Sequence, residues 1–160
     1  MRLCLSVRLD TVRPRFRGGA AAGSGTLSGM AIKVGDSAEQ TFQVTDDVLE
    51  HFGAATGDRN PMHYDDAFAA TTMFGERIAH GMLTGGFFST MIGMVLPGPG
   101  SIYLGQTLQF RAPVKPGDAV RVHVEVTGYD PERRRATIDT RAYVGDKLVV
   151  VGEARVIAPA

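Results

Sequence analysis

Asp58 and His63 stand five residues apart in the stretch GDRNPMHYDDAF (57–68), with Asn60-Pro61 between them. A carboxylate and an imidazole suit proton transfer if the chain between them bends. Pro61 stops residues 58–63 from continuing as a helix, because it has no backbone N–H and its ring crowds the preceding turn. The loop can therefore curl so that both side chains reach one spot. A water held between them would meet two needs of hydrating a double bond conjugated to a thioester carbonyl. One is a base that takes a proton from water; the other is an acid that delivers a proton to the α carbon. The third need is a donor for the enolate-like thioester oxygen. AHGML (79–83) opens an apolar helix, where free N–H groups and a positive dipole end occur. Gly81 has no side chain to block approach to its N–H.

Each of these residues also has a plainer reading. Asp58 after Gly57 is a turn residue, Asn60-Pro61 is a turn initiator, and His63 is a surface or satisfied core histidine. His80 reads as capping or orienting the helix start, His51 as facing solvent, and His123 as lying on the polar face of a strand. The run Arg133-Arg134-Arg135 reads as a solvated turn. Nucleophilic catalysis lacks a Gly-x-Ser-x-Gly elbow. The single cysteine, Cys4, allows neither an internal disulfide nor a paired-cysteine zinc site. Asp58, His63 and His80 lack a recognised metal-ligand spacing, and neither a metal nor a cofactor is expected.

The elements that must position these residues follow from hydrophobic period. Val48, Leu49, Phe52 and Ala55 keep helical spacing, with Thr45 as N-cap, Asp46 and Asp47 in the first turn and Gly57 as C-terminal cap. A short second helix is predicted over 65–74. Within 76–100, Met82, Leu83, Phe87, Phe88, Met91, Ile92, Met94 and Val95 leave almost no polar face, so this helix belongs inside the protein. Its three internal glycines (Gly85, Gly86 and Gly93) predict close packing against a sheet, and PGPG ends it. Strands are predicted over 101–114, 119–129, 136–144 and 147–158. In the second of these, Val120, Val122, Val124 and Val126 face one side, with Arg121, His123, Glu125 and Thr127 on the other. Gly145-Asp146 makes a tight hairpin. The fold class expected is α+β: a single hot-dog arrangement, an antiparallel sheet wrapped around a central buried helix. Such a sheet covers one side of the helix and leaves an open edge, so a homodimer is expected.

Composition bounds the rest. The 160 residues suit one domain, and 44% hydrophobic with 21% charged residues is ordinary for a globular protein. Net charge is zero, so nothing overall asks for nucleic acid or an anionic membrane. No apolar run approaches the roughly 18–20 residues needed to cross a bilayer. Residues 1–30 hold Arg2, Arg8, Arg13, Arg15 and Arg17 against Asp10, giving +4, while residues 31–160 carry −4. With its Gly/Ala/Ser-rich stretch RGGAAAGSGTLSG, the segment 1–30 reads as lying outside a folded domain of residues 31–160. It is a transit peptide, a disordered extension, or sequence upstream of a true start at Met30; MAIKVGD opens like a domain and favours the last. A cytoplasmic location is expected, organellar only if residues 1–30 are a transit peptide.

FGAATGDRNPMHYDDAFA (52–69) closely resembles the hydratase motif of the MaoC-like family of (R)-specific enoyl-CoA hydratases. That motif runs aromatic, small residues, Gly-Asp-x-Asn-Pro-aliphatic-His, then a small residue. Phe52, Thr56, Gly57, Asp58, Asn60, Pro61, His63 and Ala69 match it, and Met62 replaces the usual branched aliphatic. The resemblance continues through IAHGML (78–83) and LPGPGSIYLGQTLQFRAPVKPGD (96–118), covering about residues 40–157. It implies that Asp58 and His63 hold and activate the water. It further implies that Asn60 shapes the loop and the Gly81 N–H binds the thioester carbonyl. Ser89, one or two turns along the apolar helix, aligns with a family serine near the active-site water. The implied fold is the hot-dog dimer, its substrate an acyl-CoA thioester, and its pathway fatty-acid and polyhydroxyalkanoate metabolism. Contact of Arg133-Arg134-Arg135 with a CoA phosphate is the alternative to a solvated turn. The rival activities are dehydration of 3-hydroxyacyl groups on acyl carrier protein and thioester hydrolysis. A rival of another class is a non-catalytic acyl-CoA-binding subunit.

Overall fold

The computed structural model describes residues 15–16 and 32–160. The elements are β1 (Arg15–Phe16), β2 (Ser37–Gln43), α1 (Asp46–Thr56), a 3-10 turn (Pro61–His63), α2 (Asp66–Ala70) and α3 (Gly81–Met94). They are followed by β3 (Ile102–Phe110), β4 (Ala119–Asp130), β5 (Arg135–Val144) and β6 (Lys147–Ile157). All strand pairs are antiparallel, in the order β1-β2-β4-β5-β6-β3. After β2 the chain runs through its helices to the far edge, lays down β3, and returns to β4 beside β2. β5 and β6 then fill the gap. Two-residue β1 pairs with Ala38 and Glu39 of β2. The rest of the segment 1–30, with Cys4 and Met30, lies outside the described residues.

Alternation in β4 sets the two faces of the sheet. Val120, Val122, Val124 and Val126 are fully buried and look toward α3. On the opposite face Arg121 pairs with Glu39 at 2.8 Å and lies over the Tyr143 ring at 4.5 Å. His123 sits there between Glu39 and Glu125. The sheet curls around α3, whose Leu83, Thr84, Phe87, Phe88, Met91 and Ile92 are buried. Phe87 stacks on Phe42 of β2, with ring centroids 4.5 Å apart. This is the hot-dog arrangement expected from the sequence.

The caps of α1 form as expected. Thr45 Oγ1 accepts the Val48 N–H at 3.2 Å, and Gly57, at φ +79°, donates its N–H to the Gly53 carbonyl at 2.9 Å. The hairpin at Gly145 has positive φ at the first turn residue only, the two-residue II′ pattern. Arg133 and Arg134 lie exposed in the turn between β4 and β5, and Arg135, also exposed, begins β5.

Three details differ from expectation. α2 stops at Ala70 rather than continuing to 74, because the Thr71 and Thr72 hydroxyls turn back onto the carbonyls of Phe68 and Ala69, both at 2.7 Å. α3 is buried on one face only: Met82 and Met94 are exposed on the other. Of its three internal glycines, only Gly85 meets the sheet. A Cβ there would lie 3.1 Å from Leu108, whereas nothing lies within 4 Å of one at Gly86 or Gly93.

Gly152 of β6 is held more tightly than any of these, since an added Cβ would overlap the Thr107 carbonyl oxygen of β3. Backbone cannot yield as a side chain can. Gly152→Ala should therefore destabilise the protein by about 3 kcal/mol, near the upper end for overpacking. Gly128→Ala, whose Cβ would meet Thr137 at an ordinary 3.5 Å, should change stability by no more than about 1 kcal/mol. Urea unfolding of the two variants checks both.

Candidate active site

The turn after α1 is built from side chains that bond their own backbone. Asp58 Oδ1 accepts the Asn60 N–H at 3.2 Å, and Asn60 Oδ1 accepts the Met62 N–H at 3.2 Å, capping the 3-10 turn that begins at Pro61. Asn60 thus shapes the loop. The turn delivers His63 into the interior, 6% exposed, while Asp58 stays exposed. Arg59 is drawn away from its neighbour: it pairs with Glu50 at 2.6 Å and lies over the Tyr64 ring at 5.2 Å. Among the described residues Asp58 forms no ion pair, so its carboxylate keeps free lone pairs.

The segment leading into α3 is laced to this turn. Ile78 donates its N–H to the Met62 carbonyl at 3.3 Å, and His63 Nδ1–H donates to the Ile78 carbonyl at 2.8 Å. A carbonyl oxygen only accepts, so the hydrogen must sit on Nδ1. His63 Nε2 is therefore a bare lone pair in the neutral ring. The Ala79 N–H donates to the Val114 carbonyl at 2.7 Å, fixing the same segment from the other side.

His80 completes the cluster. It is 2% exposed, and its ring centroid lies 3.9 Å from that of His63 and 4.9 Å from that of Phe52. Its Nε2–H donates to the Asp58 carbonyl at 3.1 Å. An Asp58 carboxylate oxygen and one ring nitrogen from each histidine lie within 4.8 Å of one another. Among the described residues this is the one group with donors so placed that they could gather a metal ion. Zinc would need the three donors at about 2.0–2.2 Å from one common point. Burial pushes His80 below the usual histidine pKa; the nearby His63 adds to this, and the bond to Asp58 opposes it.

Gly81 is the first residue of α3, directly after His80, so its N–H belongs to the first turn that a helix leaves unpaired. Gly81 is exposed, and the Phe110 ring packs where its side chain would be: a Cβ on Gly81 would lie 2.9 Å from Phe110 Cε1. Ser89 lies two turns along α3 on the exposed face, about 12 Å from Gly81 by helix rise. A cleft of about 550 Å³ lined by Ser37, Glu39, Arg121, His123, Arg141 and Tyr143 lies on the outer face of the sheet, among none of these residues.

Sequence reasoning missed Tyr64. Its hydroxyl donates to the Leu49 carbonyl at 3.0 Å and lies 3.4 Å from His80 Nε2. Its trace in the sequence is Gly53, mid-helix in α1, where glycine costs about 1 kcal/mol relative to alanine. A Cβ there would overlap the Tyr64 hydroxyl and come 3.0 Å from the Asp58 carbonyl oxygen.

The lowered pKa of His80 has a sign for stability. Below the unfolded pKa of about 6.5 the unfolded chain takes up a proton that the folded chain resists, so stability falls as pH drops, and it is flat above. Between pH 7.5 and 5.5, His80→Gln should lose less of its urea stability than the wild type does.

Comparison with known proteins places this geometry. Residues 30–149 match the family described as MaoC like domain. The 3-hydroxybutyryl-CoA dehydratase of Methylorubrum extorquens is 55% identical over 108 residues, 68% of this chain and 69% of that protein. The (R)-specific enoyl-CoA hydratase of Rhodospirillum rubrum is 45% identical over 129 residues, 81% of this chain and 90% of its own length. The unliganded R-hydratase of Pseudomonas aeruginosa superposes with a TM-score of 0.76 at 51% identity, covering 80% of this chain and 83% of that one. The fold, the Gly-Asp-x-Asn-Pro-x-His turn and the relatives agree, and the chain belongs to the MaoC-like domain family.

Proposed function

We propose that the protein is an (R)-specific enoyl-CoA hydratase, a hydro-lyase that reversibly adds water to a trans-2-enoyl-CoA to give the (R)-3-hydroxyacyl-CoA. The observation that carries this reading is the pairing of a free Asp58 carboxylate with a His63 ring whose Nε2 lone pair is left open by the bond from Nδ1–H to Ile78. Water held between them loses a proton to one of the pair as its oxygen bonds to C3. The electrons of the double bond pass to the thioester oxygen, which the Gly81 N–H stabilises. The proton taken from the water then passes from the pair to C2 and closes the new C–H bond. Water thus supplies both the hydroxyl and one proton, and no redox partner is needed. Asn60 holds the loop, and Ser89 supports the site from the exposed face of α3. The (R) outcome, the CoA carrier and a role in fatty-acid or polyhydroxyalkanoate metabolism draw on the resemblance to the relatives above. We place the working enzyme in the cytoplasm as a homodimer. Its exposed edge strand β3 carries Ile102, Leu104 and Phe110 in the open, and a second copy would cover them.

Purified protein with crotonyl-CoA should lose the enoyl-thioester absorbance, and Asp58→Asn and His63→Gln should each do so at least about 100-fold more slowly, the scale of a lost general acid or base. Release of free thiol in place of hydration would mean thioester hydrolysis. Faster turnover of the same acyl group on acyl carrier protein would make it a carrier-protein dehydratase. Unaltered rates in both variants would leave a binding subunit or another site.

Dialysis against a chelator should leave the rate unchanged, since the proposed step uses only protein groups. A loss restored by zinc would instead assign the Asp58–His63–His80 cluster to a metal.

A further inference from the structure

We propose that His80 is a positioning residue that ties the water-holding turn to the thioester-binding end of α3. This rests on the hydratase reading above. His80 is the N-cap of α3, at φ −58° and ψ 127°, yet its side chain makes no cap hydrogen bond. A capping side chain is worth about 1 kcal/mol to a helix, and here that contribution is forgone. The ring turns back instead, and its Nε2–H donates to the Asp58 carbonyl at 3.1 Å. The other nitrogen, Nδ1, is buried with no hydrogen-bond partner.

An orphaned buried acceptor carries a desolvation cost, so packing alone does not account for the histidine. A phenylalanine or leucine would fill the space between Phe52 and His63 without it. What only a donor provides is the clamp on Asp58. The Tyr64 hydroxyl, 3.4 Å from His80 Nε2 and bonded to Leu49, holds the same point to α1. His80 is covalently joined to Gly81, so this hydrogen bond fixes Asp58, as the bonds through Ile78 fix His63, relative to the N–H that receives the thioester oxygen. Hydration needs both at once, and a misplacement of about 1 Å can cost about 100-fold.

Three variants and one spectrum test this. In His80→Gln the amide nitrogen can stand where Nε2 stood; in His80→Asn it cannot reach; in His80→Phe the ring remains without a donor. On an enoyl-CoA that the wild type hydrates, Phe and Asn should lower kcat about 30- to 100-fold with KM within about threefold, and Gln should recover to within about fivefold. Near-wild-type kcat in His80→Phe, or equal losses in Gln and Asn, would overturn the proposal. Should His80→Phe fail to fold, the comparison of Gln with Asn decides. Independently of activity, 15N spectra of the wild-type histidines at pH 8 should show His80 as the neutral Nε2–H tautomer; an Nδ1–H tautomer would overturn the clamp. A wild type that hydrates no enoyl thioester would remove the functional reading and this role with it. An active wild type with an unimpaired His80→Phe would remove this role alone.

Discussion

Burial of one face of α3 in the curl of the sheet is the contact on which everything else hangs. Phe88, Met91 and Ile92 are fully enclosed, as are the four valines of β4. Fully burying each such side chain is worth about 1.5–3 kcal/mol. No polar contact among the described residues competes with that sum. The surface ion pairs, such as Arg59–Glu50 and Lys115–Glu76, involve half-exposed groups and contribute at most about 1 kcal/mol each. The core therefore sets where α3 lies, and the position of α3 sets where its first turn points. The site is assembled around that turn: His80 stands at its N-cap position, Gly81 begins it, and the Ile78 carbonyl just before it receives His63.

The site itself is asymmetric. His63 is buried and its ring is locked by one bond to a backbone carbonyl, whereas the Asp58 side chain is exposed and bonds only within its own turn. That suits a pair that must handle water. The buried member has a fixed tautomer and a fixed lone pair, and the exposed one can meet solvent and exchange protons with it. The polar atoms that do this positioning are mostly backbone: the carbonyls of Leu49, Asp58 and Ile78. A backbone acceptor is present at its residue whatever side chain that residue carries. Precision at the site therefore follows from the course of the chain more than from the neighbouring residues.

Much of this was legible from residue order, and the limits of legibility are physical. The period of β4, the caps of α1 and the Gly-Asp-x-Asn-Pro-x-His turn are local patterns, written over a few adjacent residues, and each appears in the fold as expected. The pairing of Asp58 with His63 needed only a bend at Pro61. His80 and Tyr64 were different. Their partners are the carbonyls of Asp58 and Leu49, 22 and 15 residues away, and a carbonyl carries no mark in the sequence. His80 was read as a helix-start residue, which it is, but its side chain serves a distant turn. The all-round apolarity of α3 was likewise read as full burial. One curled sheet can cover only half of a helix, so the apolar residues on the far side signal a need that the described residues do not meet.

That unmet need converges on the site. Met82 lies on the uncovered face of α3, and Phe110 ends the uncovered strand β3. Phe110 also packs on Gly81, at the end of α3 proposed to receive the thioester oxygen. An apolar edge strand invites another strand, and a two-fold pairing of β3 with a second copy would run antiparallel, bringing the Ile102 end of one chain beside the Phe110 end of the other. The exposed side of the Asp58–His63 pair would then face a wall supplied by the partner rather than open solvent. A hydratase needs water admitted one molecule at a time and a carbonyl kept from competing solvent donors. In a fold that covers its central helix on one side only, the same pairing that hides the apolar edge would supply that enclosure. Assembly and catalysis would thus draw on a single surface.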